Sequence, residues 1–277
     1  MKPLKPDDLL LRKTPVELER WSEGRDVLGR ALRPVRMERF QELEQTLRNN
    51  PVMADPYIEL ARIYLHQERW ADAKRVLDRA AELFSSDESV LFLREDALLA
   101  RSLKLLSFAE LEYEQGPTVL TEKELLRARL DLNAMRERVC RARLGRHPEQ
   151  LELTIPLAEA LDGLERSEEA IDHLQRAAQD PDLRASASLK LGVIYEKSGR
   201  VVEALSAFRR AALFRIPPPP EAIKISALAA AAELSLKHRL LDSAQRYVTM
   251  LQELEPQNPR WPQLAQDIAD LEGALQP

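Results

Sequence analysis

Apolar residues recur along this chain at three- and four-residue spacings, with no alternating stretches. Leu189, Val193 and Glu196 are spaced as one helix face, and Leu205, Phe208 and Ala212 as another. This periodicity predicts an all-α protein. It recurs in a longer frame. Ala61 to Tyr64, Leu157 to Leu161, Leu191 to Tyr195 and the Ala-rich stretch 231–235 each precede a polar turn. After the turn come an Ala, an apolar residue four later and a third small residue. The frame defines four copies of 34 residues, at 54–87, 151–184, 185–218 and 225–258, the second abutting the third. Small residues at positions 8, 20 and 27 let two antiparallel helices approach. Large residues at 4, 7, 11 and 24 fill the space between them. One such hairpin cannot bury its apolar face alone, so stacking is required.

The pattern resembles the tetratricopeptide repeat. Leu191, Gly192, Tyr195, Ala204, Phe208 and Ala211 match it in the third copy, with Ser188 departing at position 4. The first copy supplies Tyr57, Leu60, Ala61, Tyr64, Ala73, Leu77 and Ala80. The second supplies Leu157, Ala158, Leu161, Ala170, Leu174 and Ala177. The fourth supplies Leu228, Ala231, Ala232, Ala244, Val248, Leu251 and Pro256, with Ser235 at the tyrosine position. The resemblance implies a right-handed superhelical solenoid of antiparallel helix pairs.

Between the copies the signature fades. In 88–150, Phe92, Leu99, Leu106 and Tyr113 recur every seven residues, as do Leu91, Leu98 and Leu105. Gly116-Pro117 ends this long helix, and Thr121-x-x-Glu124 reads as a capping box opening a second. That second helix carries Leu125, Ala128, Leu132, Met135, Val139 and Ala142, with Gly145 as its expected stop. The segment is expected to be an elongated, degenerate helical hairpin or insertion. Residues 15–53 predict a degenerate helix pair, about 15–32 and 35–49, with Arg39 where a small residue belongs and Phe40, Leu43 and Leu47 facing inward. Residues 1–14 are expected to be flexible. Pro217 to Pro220 forces extended backbone, and 219–224 reads as a Pro-rich spacer. Residues 259–277 predict a capping helix with Leu264, Ile268, Leu271 and Leu275 inward.

Composition narrows the function. The 277 residues carry a net charge of −5, only 8 Gly and 5% aromatics. Gly-rich nucleotide loops and nucleic-acid binding are disfavoured. The single Cys140, flanked by Arg138, Arg141 and Arg143, cannot form an internal disulfide and reads as a small helix residue. No apolar run is long enough for a signal or a membrane span, so a soluble, cytoplasmic protein is expected. His66, His147, His173 and His238 lie far apart, and no metal, cofactor or nucleophile motif occurs. No enzyme, metal or cofactor is expected.

The resemblance implies that positions 2, 5, 9, 12 and 13 of each copy line a concave groove. Among these, Glu152, Ile155, Glu159, Asp162, Leu189, Val193, Glu196, Lys197, Glu233 and Leu236 are the candidate partner residues. The Lys/Asn pair of a carboxylate clamp is missing from every copy. Residues 149–184 carry a net of −7 and 121–148 a net of +4. A scaffold is therefore expected, docking a partner peptide or helix with apolar anchors and basic residues. Its rivals are a homodimer or larger homo-oligomer built through 88–145, a regulatory subunit of a larger complex, and an RNA-binding repeat using the basic 121–148 stretch.

Overall fold

A computed structural model describes residues 37–275 of the chain. The expected flexible segment 1–14 and helix 15–32 lie outside the described residues. Among them there are twelve α-helices and no strand. Two compact units divide the chain between Arg143 and Leu144.

The first unit holds α1 (Met37–Asn49), α2 (Ala54–His66), α3 (Trp70–Leu83), α4 (Glu88–Gln115) and most of α5 (Val119–Arg146). Helix α1 packs on α2 and contributes Leu43 to the core, with Phe40 and Leu47 beside it. The Phe40 ring meets Tyr64 edge-on at 5.3 Å, and Arg69 stacks over both rings. Arg39 does not occupy a close-packing position. It reaches outward to Glu59 at 2.9 Å, which is why a long cation is tolerated there.

Helices α4 and α5 are each 28 residues long. The Asp87 carboxylate caps α4 by accepting from the Ser89 N–H at 2.9 Å and the Val90 N–H at 3.3 Å. Helix α4 ends at Gln115, before Gly116-Pro117. The expected capping box is displaced by one turn. Thr118, not Thr121, caps α5. Its hydroxyl accepts from the Thr121 N–H at 3.1 Å, and the Thr121 hydroxyl accepts from the Thr118 N–H at 2.9 Å. Thr121 thus takes the reciprocal role that Glu or Gln usually fills. Gly145 does not stop α5 either. The helix runs one residue further, to Arg146, and ends before His147-Pro148, where proline disfavours helical backbone.

The hairpin is antiparallel. Leu106 and Ala109 meet Leu125 and Leu132, flanked by Leu103, Tyr113 and Ala128. Glu110 pairs with Arg129 at 3.7 Å and Asp96 with Arg143 at 2.5 Å, one pair near each end. Cys140 is fully buried on α5.

The second unit holds a short 3-10 turn (Leu151–Leu153), then α6 (Thr154–Gly163), α7 (Ser167–Ala177), α8 (Arg184–Lys197), α9 (Val201–Leu213), α10 (Glu221–Lys237), α11 (Leu241–Leu254) and α12 (Arg260–Leu275). They form three antiparallel pairs and a closing helix. Helix α6 contacts α8, and α8 contacts α10, so the first helices of successive pairs lie side by side. Ile216-Pro217 and the prolines after it are non-helical, but α10 begins at Glu221, so the spacer is shorter than 219–224. Pro220 supplies the extended backbone just before the first turn. Trp261, Leu264 and Ile268 bury α12 against α11, and the Trp261 indole N–H donates to Glu255 at 3.1 Å. Leu271 is 36% exposed, and the side chain of Leu275 lies outside the described residues.

The 34-residue frame has a backbone signature. Glu68, Glu165, Gly199 and Arg239 stand at position 15 of the four copies, and all have positive φ. The next N–H closes each turn onto position 11, as Arg69 to Tyr64, Arg166 to Leu161, Arg200 to Tyr195 and Leu240 to Ser235, all at 2.8–2.9 Å. Each first helix therefore ends in a Schellman turn, and the four turns are equivalent.

One ion cluster gives the first unit an acid-side dependence. Burial alone would push the Asp78 carboxyl up. Hydrogen bonds from Lys74 and from Arg94 at 2.6 Å outweigh it and hold the group below its ordinary range. Its folded pKa is depressed, so the stabilisation is full above the ordinary value of 3.8 and is lost as pH falls through the lower native one. Asp78→Asn should lower stability at neutral pH and flatten its decline in acid. Parallel wild-type and mutant curves of thermal unfolding against pH would contradict this.

Candidate partner-binding face

Helices α6, α8 and α10 present one face of the second unit, and the ten candidate residues fall on it or just before it. They are not equivalent. Ile155 is buried at 8% exposure and belongs to the core. Glu152 is exposed in the 3-10 turn. Leu189 and Leu236 are half-buried, and Val193, at 47%, is the exposed apolar side chain in the middle of α8.

The acidic character expected of this face is largely neutralised. Glu159 pairs with Lys190. Asp162 accepts from Lys197 Nζ at 3.0 Å and from the Ser167 hydroxyl at 2.7 Å. Glu233 pairs with Arg260. Lys197, itself a candidate contact, is thus committed to Asp162. Glu196 is half-buried and has no ion pair among the described residues. The basic partner inferred from a net of −7 loses most of its motive, because the cations that balance Glu159 and Asp162 come from the next helix pair. What remains is an apolar strip of Leu189, Val193 and Leu236, with the Glu196 carboxylate beside it.

A concavity lies elsewhere on this unit. Gln175, Ala178 and Gln179 of the α7 end, Leu191 and Tyr195 of α8, and Val202, Glu203, Ser206 and Arg210 of α9 line a cleft of about 540 Å³. Its floor is ordered by Gln175, which donates to the Tyr195 hydroxyl at 3.1 Å, and by Arg200 stacked 4.5 Å over the same ring. Val202 is 78% exposed at its rim. The sequence held one signal for it. Val202 follows the turn residue Arg200 closely, at a second-helix position where an exposed β-branched residue has no packing role.

No group of three or more His, Cys, Asp or Glu that could hold a metal occurs among the described residues. No helix among them is long and apolar enough to cross a membrane.

Residues 41–107 and 155–220 match the family model described as tetratricopeptide repeat. No curated protein matches the chain. Solved structures do. One is YrrB, described as a TPR protein with an unusual peptide-binding site, at 19% identity and a TM-score of 0.48 over 83% of this chain and 99% of that one. Another is the APC/C hetero-tetramer Cut9–Hcn1, at 12% identity and 0.40, where this chain spans 46% of the matched chain and the match covers 83% of this one. A third is Naa15/Naa10 bound to HypK-THB, at 15% and 0.43, spanning 36% of that chain and 83% of this one.

Proposed function

We propose that this chain, which belongs to the tetratricopeptide repeat family, is a non-catalytic scaffold that seats a partner's peptide or helix on the α6–α8–α10 face. The observation that carries the reading is Val193. It stands exposed in the middle of α8, between half-buried Leu189 and a Glu196 that has no ion pair among the described residues. An apolar anchor from the partner would cover Val193, and one basic residue beside it would meet Glu196. The neighbouring carboxylates already hold cations, so more than one basic residue would gain little.

The internal pairs decide which substitutions are informative. Glu159→Lys would set a new cation against Lys190 and disturb α6 against α8. Val193→Glu and Glu196→Lys touch only the proposed contact. A library of random peptides displayed on phage, panned on the full chain, should enrich sequences joining an apolar anchor to a nearby Lys or Arg. Binding of a synthetic enriched peptide should weaken at least about tenfold with Val193→Glu. Val202→Glu, on α9, should leave it unchanged. Peptides indifferent to Val193→Glu but lost with Val202→Glu would transfer the site to the 540 Å³ cleft and overturn this reading.

A further inference from the structure

Helix α4 outreaches the pair that precedes it. Its 28 residues span about 42 Å, against about 20 Å for α2 and α3. Near its base α4 packs on α3, with Arg94 on Asp78 at 2.6 Å. Lys104 reaches Glu68, in the turn that joins α2 to α3, at 3.0 Å. Past that turn, apolar side chains on the same side of α4 stand open. Leu105 is 51% exposed and Phe108 is 49% exposed. They are not the inside of the hairpin, which Leu106 and Ala109 fill.

Arg101, Leu105, Phe108 and Glu112 are spaced by four, three and four residues, so they form one stripe. All four are exposed, and neither Arg101 nor Glu112 has an ion pair among the described residues. The stripe has a cation at one end, an anion at the other and two apolar side chains between. Its order is self-complementary. Reversed against itself, it sets Arg101 opposite Glu112 and Leu105 opposite Phe108, and both pairings share one centre, between Leu106 and Ser107. A parallel arrangement would instead oppose Arg101 to Arg101.

We propose that this stripe is a two-fold interface: α4 packs antiparallel on α4 of a second copy of the chain. Each copy gives the other an apolar pair and receives two ion pairs, as an isologous contact requires. The Lys104 ammonium lies 5.1 Å over the Phe108 ring, with Glu68 holding it, so the aromatic is steadied before association. The patch is short beside a standard interface of about 1,600 Å², so the dimer is expected to form reversibly at about 10–100 µM chain.

Sedimentation of the full chain over that concentration range tests the proposal. The wild type should pass from the 31.6 kDa monomer toward twice that mass. Phe108→Glu should weaken self-association at least about tenfold. Arg101→Glu alone and Glu112→Arg alone should each do the same, by opposing like charges. An equimolar mixture of those two single variants should regain the dimer, and so should the double variant Arg101→Glu/Glu112→Arg. Circular dichroism checks that each variant remains helical. A wild type that stays monomeric throughout overturns the proposal, as does a dimer insensitive to Phe108→Glu. Failure of the charge-swapped mixture to associate overturns the antiparallel register.

Discussion

Arg143→Ala is expected to destabilise the first unit by about 3–5 kcal/mol, the cost of stripping one partner from a buried ion pair. Arg143 is 1% exposed on α5 and is among the largest fully buried side chains described. Its Nη2 donates to Asp96 at 2.5 Å and its Nε to Glu95 at 2.8 Å, and the guanidinium lies 4.9 Å from the Phe92 ring centre. Burial alone would lower its pKa. The attraction of Asp96 and the bonds to both carboxylates reverse that and raise it, so the charge is held firmly. Alanine would leave Asp96, only 7% exposed, facing the space where the guanidinium stood. Chemical denaturation should show the loss, and hydrogen exchange should place it in α4 and α5. Arg143→Ala/Asp96→Ala should cost less than the two single changes added together, because no buried carboxylate then faces the gap left by the guanidinium. A single-variant loss below about 1 kcal/mol would mean that water replaces the guanidinium at little cost.

How much of this was legible in the residues differs from element to element. The helix pairs were legible because their information is local. A small residue at position 8 or 20, a polar turn between, and large residues at fixed offsets constrain one hairpin. The uniform Schellman turns at Glu68, Glu165, Gly199 and Arg239 are the backbone consequence. The long helices were legible because nothing between Asp87 and Gly116 breaks one. Their ends were less so. Thr121-x-x-Glu124 fits the capping pattern better than Thr118-x-x-Thr121, yet the chain leaves Pro117 directly into helix and so fixes the cap at Thr118.

The charge of the candidate face was not legible, since its balance is non-local. Summing residues 149–184 counts Glu159 and Asp162 but omits Lys190 and Lys197, which lie in the next pair. Asp162 and Lys197 are 35 residues apart in the chain and in contact in space. The buried arginines were hidden for the opposite reason. Arg136 and Arg143 follow exposed Arg129 at seven-residue steps, in line with Leu125, Leu132 and Val139, but a charged residue on an apolar stripe reads as solvated by default. Asp96 and Glu110 stand at the spacing of Arg143 and Arg129 on the facing helix, which is the signal that could have found the outer pair.

Gly192→Ala is expected to cost about 1–3 kcal/mol, although alanine ordinarily favours a helix interior over glycine by about 1 kcal/mol. A Cβ at Gly192 would stand 2.3 Å from Phe208 Cε1, 2.4 Å from Cδ1 and 2.9 Å from Cζ. The ring is 0% exposed and rigid, so it cannot swing aside, and α8 and α9 would have to part. The other copies show the alternative solution in the same chain. Ala61, Ala158 and Ala232 occupy the equivalent position, and there the facing residue is Leu77, Leu174 or Val248 rather than a ring. Glycine with phenylalanine and alanine with an aliphatic residue are two ways of filling one gap. Phe208→Leu alone should open a void above Gly192 and also destabilise. Gly192→Ala/Phe208→Leu rebuilds the arrangement of the other three copies and should be more stable than the summed single losses allow. Urea unfolding of the four proteins measures that coupling directly. Additive losses would show that the interhelical distance in this pair is set by residues other than these two.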